Sequence, residues 1–199
     1  MRQKKRTKGL LLTAARSLIA GGRRPTVAEV ADAAEVSRRT AYRYFPTQMK
    51  LMSDAALEGL RPVMEAAIAA APSGGNADDV EARVDAMSEK MMRLAFEHEP
   101  LLRTMIHETV LHQGGGDARR WGRRMEWIEM AVAPMRPQLG PTAYKRLLSA
   151  LGLCVGIEAL LVLRDICGLS QAQTIQVSQW MARAVIRQSL AERKTARRR

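Results

Sequence analysis

Residues 36–50 read VSRRTAYRYFPTQMK and place Arg38, Arg39 and Arg43 beside Tyr42 and Tyr44 within two helical turns. Ser37 and Thr40 add two hydroxyls. None of these residues is a nucleophile with a base next to it; all of them recognise by hydrogen bonding. A guanidinium offers a planar fork of donors that matches two phosphate oxygens, or the O6 and N7 of guanine together. Tyrosine joins a hydroxyl to a flat apolar ring. The chemistry is the reading of a polyanion with structured edges.

Such a set needs a support that turns it outward. Thr26 and Glu29 form T-x-x-E, a capping box that predicts a helix from Val27 to about Ala34. Ser37 caps the next helix, and Pro46 denies Phe45 the helical region, which limits that helix to about two turns. Val27, Val30, Ala31 and Ala34 make one apolar face, Val36 follows in a short turn, and Ala41 and Phe45 continue the set at helical spacing. Small residues let the two helices cross closely as a helix-turn-helix, and Arg38, Arg39, Thr40, Tyr42 and Arg43 remain on the outer face. Two helical turns measure about 10 Å, against a major groove about 12 Å wide. The second helix therefore fits the groove end-first, with Ser37 and the positive end of its dipole toward phosphate.

The net charge of +12 over 199 residues is unevenly spread. Residues 1–50 carry a net +9, residues 51–190 a net −1 and residues 191–199 a net +4. A neutral body with a basic first quarter is the pattern of a polyanion-binding module joined to a domain with another task. The basic stretch RQKKRTK (2–8) either lies along phosphates or in a minor groove, or is a solubilising arm.

Proline and glycine divide the chain into about nine helical segments without a strand, so the fold class is all-α. The first helix spans about 7–20 and the fourth runs from Thr47 to about Ala71; the fifth follows Asp78-Asp79 to about His98. Pro100 opens a sixth that Gly114-Gly115-Gly116 closes, Asp117 caps a seventh that Pro134 and Pro137 kink and end, and Pro141 starts a long apolar eighth ended at Gly168. Ser170-Gln171-Ala172-Gln173 is a second capping box and opens the ninth.

Several function classes are excluded by what the sequence lacks. It holds no glycine-rich phosphate loop, nucleophile elbow or metal-ligand spacing; His107 and His112, five apart, do not share a helical face. The chain is read as no enzyme, with no metal and no cofactor. No apolar run reaches the ~18–20 residues of a membrane span, and the basic N-terminus is not followed by a signal-peptide core; the expected location is the cytoplasm, with no membrane partner. Cys154 and Cys167 are expected as buried thiols.

The run LLLTAARSLIAGGRRPTVAEVADAAEVSRRTAYRYFPTQMKL resembles the DNA-binding domain of the TetR family of bacterial transcriptional regulators over about residues 10–51. The resemblance rests on Ala14-Ala15 of the first helix, the glycine before the Thr-capped second helix, its Val-Ala, and V-S-x-x-T-x-Y-x-Y-F. It implies that Arg38, Arg39, Thr40 and Tyr42 face bases and backbone. By the same likeness Thr26, Tyr44 and the start of the fourth helix hold phosphates. Glu35 stands where the family usually has Gly, at a turn position that often needs positive φ; Arg39 also replaces a common Gly. Gln48 replaces a frequent phosphate-binding Lys, and Lys50 is the residue to take over the contact.

The expected organisation is a three-helix DNA-binding domain, 1–51, and a larger effector-binding and dimerisation domain, 52–199. The partners implied are a palindromic operator in double-stranded DNA, a small-molecule effector and a second copy of the chain, in a repressor that the effector releases. The other reading is a sequence-specific or architectural DNA-binding protein with no effector. Because one short helix reads only a few base pairs, a homodimer is also required to read a palindrome. Gly152 and Gly156, four apart, with Trp180 and Ala184 on the last helix, are the candidate dimer face. Met87, Met91, Leu94, Met105, Trp121, Met125 and Glu158 are the candidate effector pocket, although any single methionine at this helical spacing reads first as plain core. Glu158, alone in an apolar run, either meets a polar or cationic ligand group or pairs with Arg164 or Arg187.

Overall fold

The computed structural model describes residues 2–72, 76–111 and 123–196 and is all-α, with no strand among them. The chain divides into two compact units, Met1–Pro62 and Val63–Arg199.

In the first unit, α1 (Arg2–Ala20) begins five residues earlier than the periodicity predicts, so the stretch 2–8 is helical. Lysine, arginine and glutamine are good helix formers and need no apolar face to continue a helix outward. The helices α2 (Val27–Ala33) and α3 (Arg38–Tyr44) follow, then α4 (Gln48–Gly59). Leu11, Leu12, Ala15, Val27, Val30, Ala31, Ala41, Phe45, Leu51 and Ala55 form one buried core, with Phe45 fully enclosed. That core is why α3 can present an almost wholly polar outer face: Ala41 and Phe45 anchor it from beneath.

The expected single helix from Thr47 to Ala71 is two, because α4 ends at Gly59 and α5 (Arg61–Ala69) restarts the chain. Pro62 is the cause. It cannot donate to the carbonyl of Glu58, and its ring collides with that carbonyl in a continuous helix.

The second unit is built on α6 (Ala77–Glu97), capped by Asn76, whose Oδ1 accepts the Asp79 N–H at 2.8 Å. The long α11 (Gln171–Ala196) and α8 (Arg123–Val132) pack on α6, and α9 (Pro141–Cys154) packs on both α8 and α11. Buried Val84, Met87, Met91 and Met92 of α6 and Trp127, Ile128 and Ala131 of α8 contribute to this interior, with Leu147 and Leu151 of α9. Arg187 holds Glu81 through two bonds of 2.8 and 2.7 Å and Arg183 holds Asp85 at 2.8 Å, fixing the register of α11 on α6. Arg83 donates to the carbonyls of Ala131 and Met130, satisfying the end of α8 before the 3₁₀ turn Ala133–Met135 at Pro134. Both members of the Ser170 capping box bond as the sequence predicts. Next in the fold stands α7 (Glu99–Leu111), while the expected glycine stop at 114–116 and the Asp117 cap lie outside the described residues.

The expected continuous helix over 141–168 is also broken. α9 ends at Cys154, Val155 is extended, and Gly156 takes φ 97 before α10 (Ile157–Leu160), which runs on as π-helical turns over Leu161–Ile166. The two halves meet at 49°. Gly168, at φ 68, ends the segment as predicted. Cys154 is buried, whereas Cys167 is exposed, contrary to expectation, because it lies in the turn that leaves the π-helix.

Candidate nucleic-acid interface

The site starts from the two caps. Thr26 Oγ1 accepts the Glu29 N–H at 3.2 Å while Glu29 Oε2 accepts the Thr26 N–H at 2.7 Å, closing the box on α2. The Thr26 backbone bond, then the Thr26 hydroxyl and nearby Arg23, holds the Glu29 carboxyl below the usual range. Ser37 Oγ accepts the Thr40 N–H at 3.3 Å and donates to Thr40 Oγ1 at 2.9 Å, which fixes the first turn of α3.

Between the helices, Val36 N–H donates to Ala31 O at 2.9 Å and Glu35 takes φ 54. Glu35 thus adopts the left-handed conformation for which glycine is the unstrained residue, as its sequence position implied.

Arg38, Arg39, Tyr42 and Arg43 are exposed on α3, and Thr40 and Tyr44 are half-buried. The three guanidinia are not equivalent. Arg38 donates from Nε to Asp32 Oδ1 at 3.1 Å and from Nη2 to Asp32 Oδ2 at 2.7 Å. Those hydrogen bonds hold the Asp32 carboxyl below its ordinary range. Arg43 lies 5.6 Å from the centre of the Tyr44 ring. Arg39 has no hydrogen bond or ion pair among the described residues.

At the start of α4, Thr47 accepts the Lys50 N–H at 3.1 Å. Gln48 Nε2 donates to the carbonyls of Arg24 and Pro25 at 3.0 and 3.1 Å, tying α4 to the segment that leads into α2. Lys50 Nζ sits 3.0 Å from Asp54, and Lys8 of α1 reaches the same carboxylate at 2.9 Å. Burial, the largest influence, pushes the Asp54 carboxyl up, but the charges of Lys50 and then Lys8, with their hydrogen bonds, outweigh it and leave the group below its ordinary value. Lys8 also lies 5.8 Å from the Phe45 ring. The roles of Asp32, Gln48 and Lys8 escape the sequence pattern, since their partners stand across a turn or on another helix, whereas Lys50 and Asp54 are four apart on one helix.

Residues 10–55 match the family model described as bacterial regulatory proteins, tetR family. Over these residues the chain carries the N-terminal helix-turn-helix domain that this family model describes. It is a DNA-binding transcriptional regulator. No curated protein and no solved structure matches the chain in the corresponding comparisons.

The second unit distributes the remaining candidates unevenly. Met87, Met91 and Leu94 are buried on α6; Met105 and Met125 are half-buried; Trp121 lies outside the described residues. Glu158 pairs neither with Arg164, which meets Glu99, nor with Arg187, which meets Glu81. Its partner is Arg124, which also donates to Val155 O at 3.1 Å. The break at Gly156 creates that meeting by bringing Glu158 round to α8, and periodicity along a continuous helix could not show it.

Gly152 and Gly156 face α8 of their own chain. A Cβ on Gly152 would lie 3.3 Å from Met125 Sδ, and one on Gly156 only 2.6 Å from Arg124 Nη1. Within the chain both give room to α8 side chains. Trp180 is 65% exposed and Ala184 is exposed on α11. Leu153, on α9, is 77% exposed, and Ser178 Oγ donates to Cys154 O at 2.6 Å where α11 packs on α9.

Proposed function

We propose that the chain is a repressor that binds a palindromic operator as a homodimer, in the cytoplasm, and is released by a small-molecule effector. The observation that carries the reading is the outer face of α3. Arg39, Tyr42 and Arg43 stand exposed above a packed three-helix core, on a helix short enough to enter a major groove. Ser37 and Thr40 order its N-terminal turn, and Thr26, Tyr44 and Lys50 flank it as phosphate contacts.

Two copies are needed because each α3 spans only a few base pairs, and two reading heads related by a two-fold axis read a palindrome. The second copy is assigned to the exposed apolar residues Leu153 and Trp180, with Ala184 between the polar flanks of α11. Large apolar side chains left exposed on adjacent helices are the mark of a face that another molecule covers.

The effector reading is supported by buried polar atoms of the second unit that the chain leaves unsatisfied. Among the described residues, Trp127 Nε1, Ser88 Oγ and Thr174 Oγ1 are buried without a hydrogen-bond partner, and the Gly156 N–H meets the thioether of Met92 at 3.4 Å. Buried donors without acceptors are costly and are rare unless something else satisfies them. Met87, Met91 and Met125 supply an adaptable apolar lining, and Arg124 with Glu158 an ionic group one helical turn from Trp127. A ligand held there more tightly in one dimer geometry than another shifts the equilibrium between them, by an amount set by that difference.

The test is a fluorescence-anisotropy titration against the DNA flanking the chain's own coding sequence, beside a scrambled duplex, over a salt series. Tight binding to the flank alone, at two chains per duplex, is expected. Equal and steeply salt-dependent binding to both duplexes would reduce the protein to a non-specific DNA coat. A library compound that stabilises the protein thermally and lowers operator affinity supports the effector reading.

A further inference from the structure

The geometry points to Asp32 as a positioning residue that locks the Arg38 guanidinium at the DNA face and thereby sets the base preference at one position of each half-site. This rests on the reading of α3 as the helix that enters the groove.

Asp32 closes the last turn of α2 and Arg38 is the first residue of α3. The two parallel bonds between them, Nε to Oδ1 at 3.1 Å and Nη2 to Oδ2 at 2.7 Å, cross the turn that joins the helices. The pair is not needed to hold that turn. Val36 N–H to Ala31 O at 2.9 Å and Glu35 N–H to Asp32 O at 3.2 Å already close it, above buried Val30, Ala31 and Ala41. Moreover, the Arg38 and Asp32 side chains are 65% and 56% exposed, and ion pairs so open to water contribute little to stability.

What the pair does is orient. A guanidinium carries five N–H donors in one plane. Asp32 occupies the Nε–H and one hydrogen of Nη2, leaving one hydrogen of Nη1 and the second of Nη2 parallel along the end edge. Two parallel donors on that edge match the O6 and N7 acceptors of guanine. A free arginine spends its rotamers between bases and phosphates, whereas one held by a carboxylate has only the one edge to offer. Arg39, with no partner among the described residues, and Arg43, against a tyrosine ring, are not held by a carboxylate in this way. Asp32 also sets a negative charge close to phosphate, which lowers affinity for every sequence. The correct base offsets that loss, so Asp32 trades general affinity for discrimination.

The test is selection of bound sequences from random duplexes by the full-length protein and by its Asp32→Ala, Asp32→Asn and Arg38→Ala variants, and by the double variant. Asp32→Ala is expected to keep the selected consensus except at one base pair per half-site, the same pair that Arg38→Ala relaxes. Discrimination there should fall roughly 5- to 100-fold, the range for one bidentate interaction with a base. Asp32→Ala should strengthen binding to scrambled DNA at low salt, while Arg38→Ala weakens it. In the double variant, removing Asp32 should change nothing further at that pair. Thermal melts of each variant separate these effects from unfolding, and Asp32→Asn, which retains one acceptor oxygen, should fall between wild type and Asp32→Ala. An unchanged consensus in Asp32→Ala, or a change at a base pair that Arg38→Ala leaves alone, would overturn the inference. If Arg38→Ala, Arg39→Ala and Tyr42→Ala all leave the consensus intact, the reading of α3 itself fails.

Discussion

Arg39 is the residue with most freedom at the reading face: exposed, with no hydrogen bond or ion pair among the described residues, and replacing the glycine frequent at that position in the family it resembles. Arg39→Ala is therefore expected to leave the melting temperature unchanged. It should reduce operator affinity by about 1–3 kcal/mol for each bidentate bond to a base that it removes, with relaxed preference at one position. Anisotropy against operator variants checks this, and equal weakening on all sequences with a shallower salt slope would make Arg39 a phosphate clamp instead. Gln48 shows how a departure from the family pattern finds its own use. Its amide spans the carbonyls of Arg24 and Pro25, a bond that the charged lysine head would make less readily while also reaching phosphate.

At the scale of elements, the break between α9 and α10 separates two glycines that look alike in sequence. Gly156→Ala places a Cβ 2.6 Å from Arg124 Nη1 at φ 97, and should destabilise the second unit by at least about 2 kcal/mol. Gly152→Ala meets only the flexible end of Met125 at 3.3 Å and gains helix propensity, so its net change should stay within about 1 kcal/mol. Urea denaturation of both variants distinguishes them, and equal effects would contradict the broken helix. In the first unit, Asp54 pairs with Lys50 one turn away on α4 and with Lys8 of α1, and the second pair ties the two helices. Because its folded pKa is the lower one, its contribution is present above the unfolded value of about 3.9 and is lost as pH falls through the folded value. Asp54→Asn should cost about 1–2 kcal/mol near pH 7, with the gap to wild type closing as pH falls through the folded value. A gap that persists in acid would show that the ion pairs do not account for it.

At the scale of the whole molecule, the two units have separate cores, and the dimer is assigned to the second. Trp180→Glu places a charge in the middle of the exposed apolar face. It should convert the protein to a monomer in sedimentation velocity at micromolar concentration. Affinity for a full palindrome should then fall at least about a hundred-fold, because the second half-site no longer binds at high effective concentration. A Trp180→Glu protein that remains dimeric would move the interface elsewhere.

The sequence by itself determined the helix-turn-helix almost to the residue, because every signal there is local. Caps, the Pro46 stop and the 3.6-residue apolar period each act within a few positions, and Glu35 even announced its positive φ. Helical class was legible for the same reason, as was the second capping box at Ser170. Only the tertiary structure decided which charges meet. Asp32 with Arg38 depends on a turn, Asp54 with Lys8 on the packing of α4 against α1, and Glu158 with Arg124 on a backbone break at Gly156. Periodicity assumes that a helix continues, and it loses track of side-chain direction wherever Gly156 or Pro62 breaks one. Long polar side chains reach across elements to whatever lies there, so their partners are fixed by the assembled fold and not by spacing along the chain.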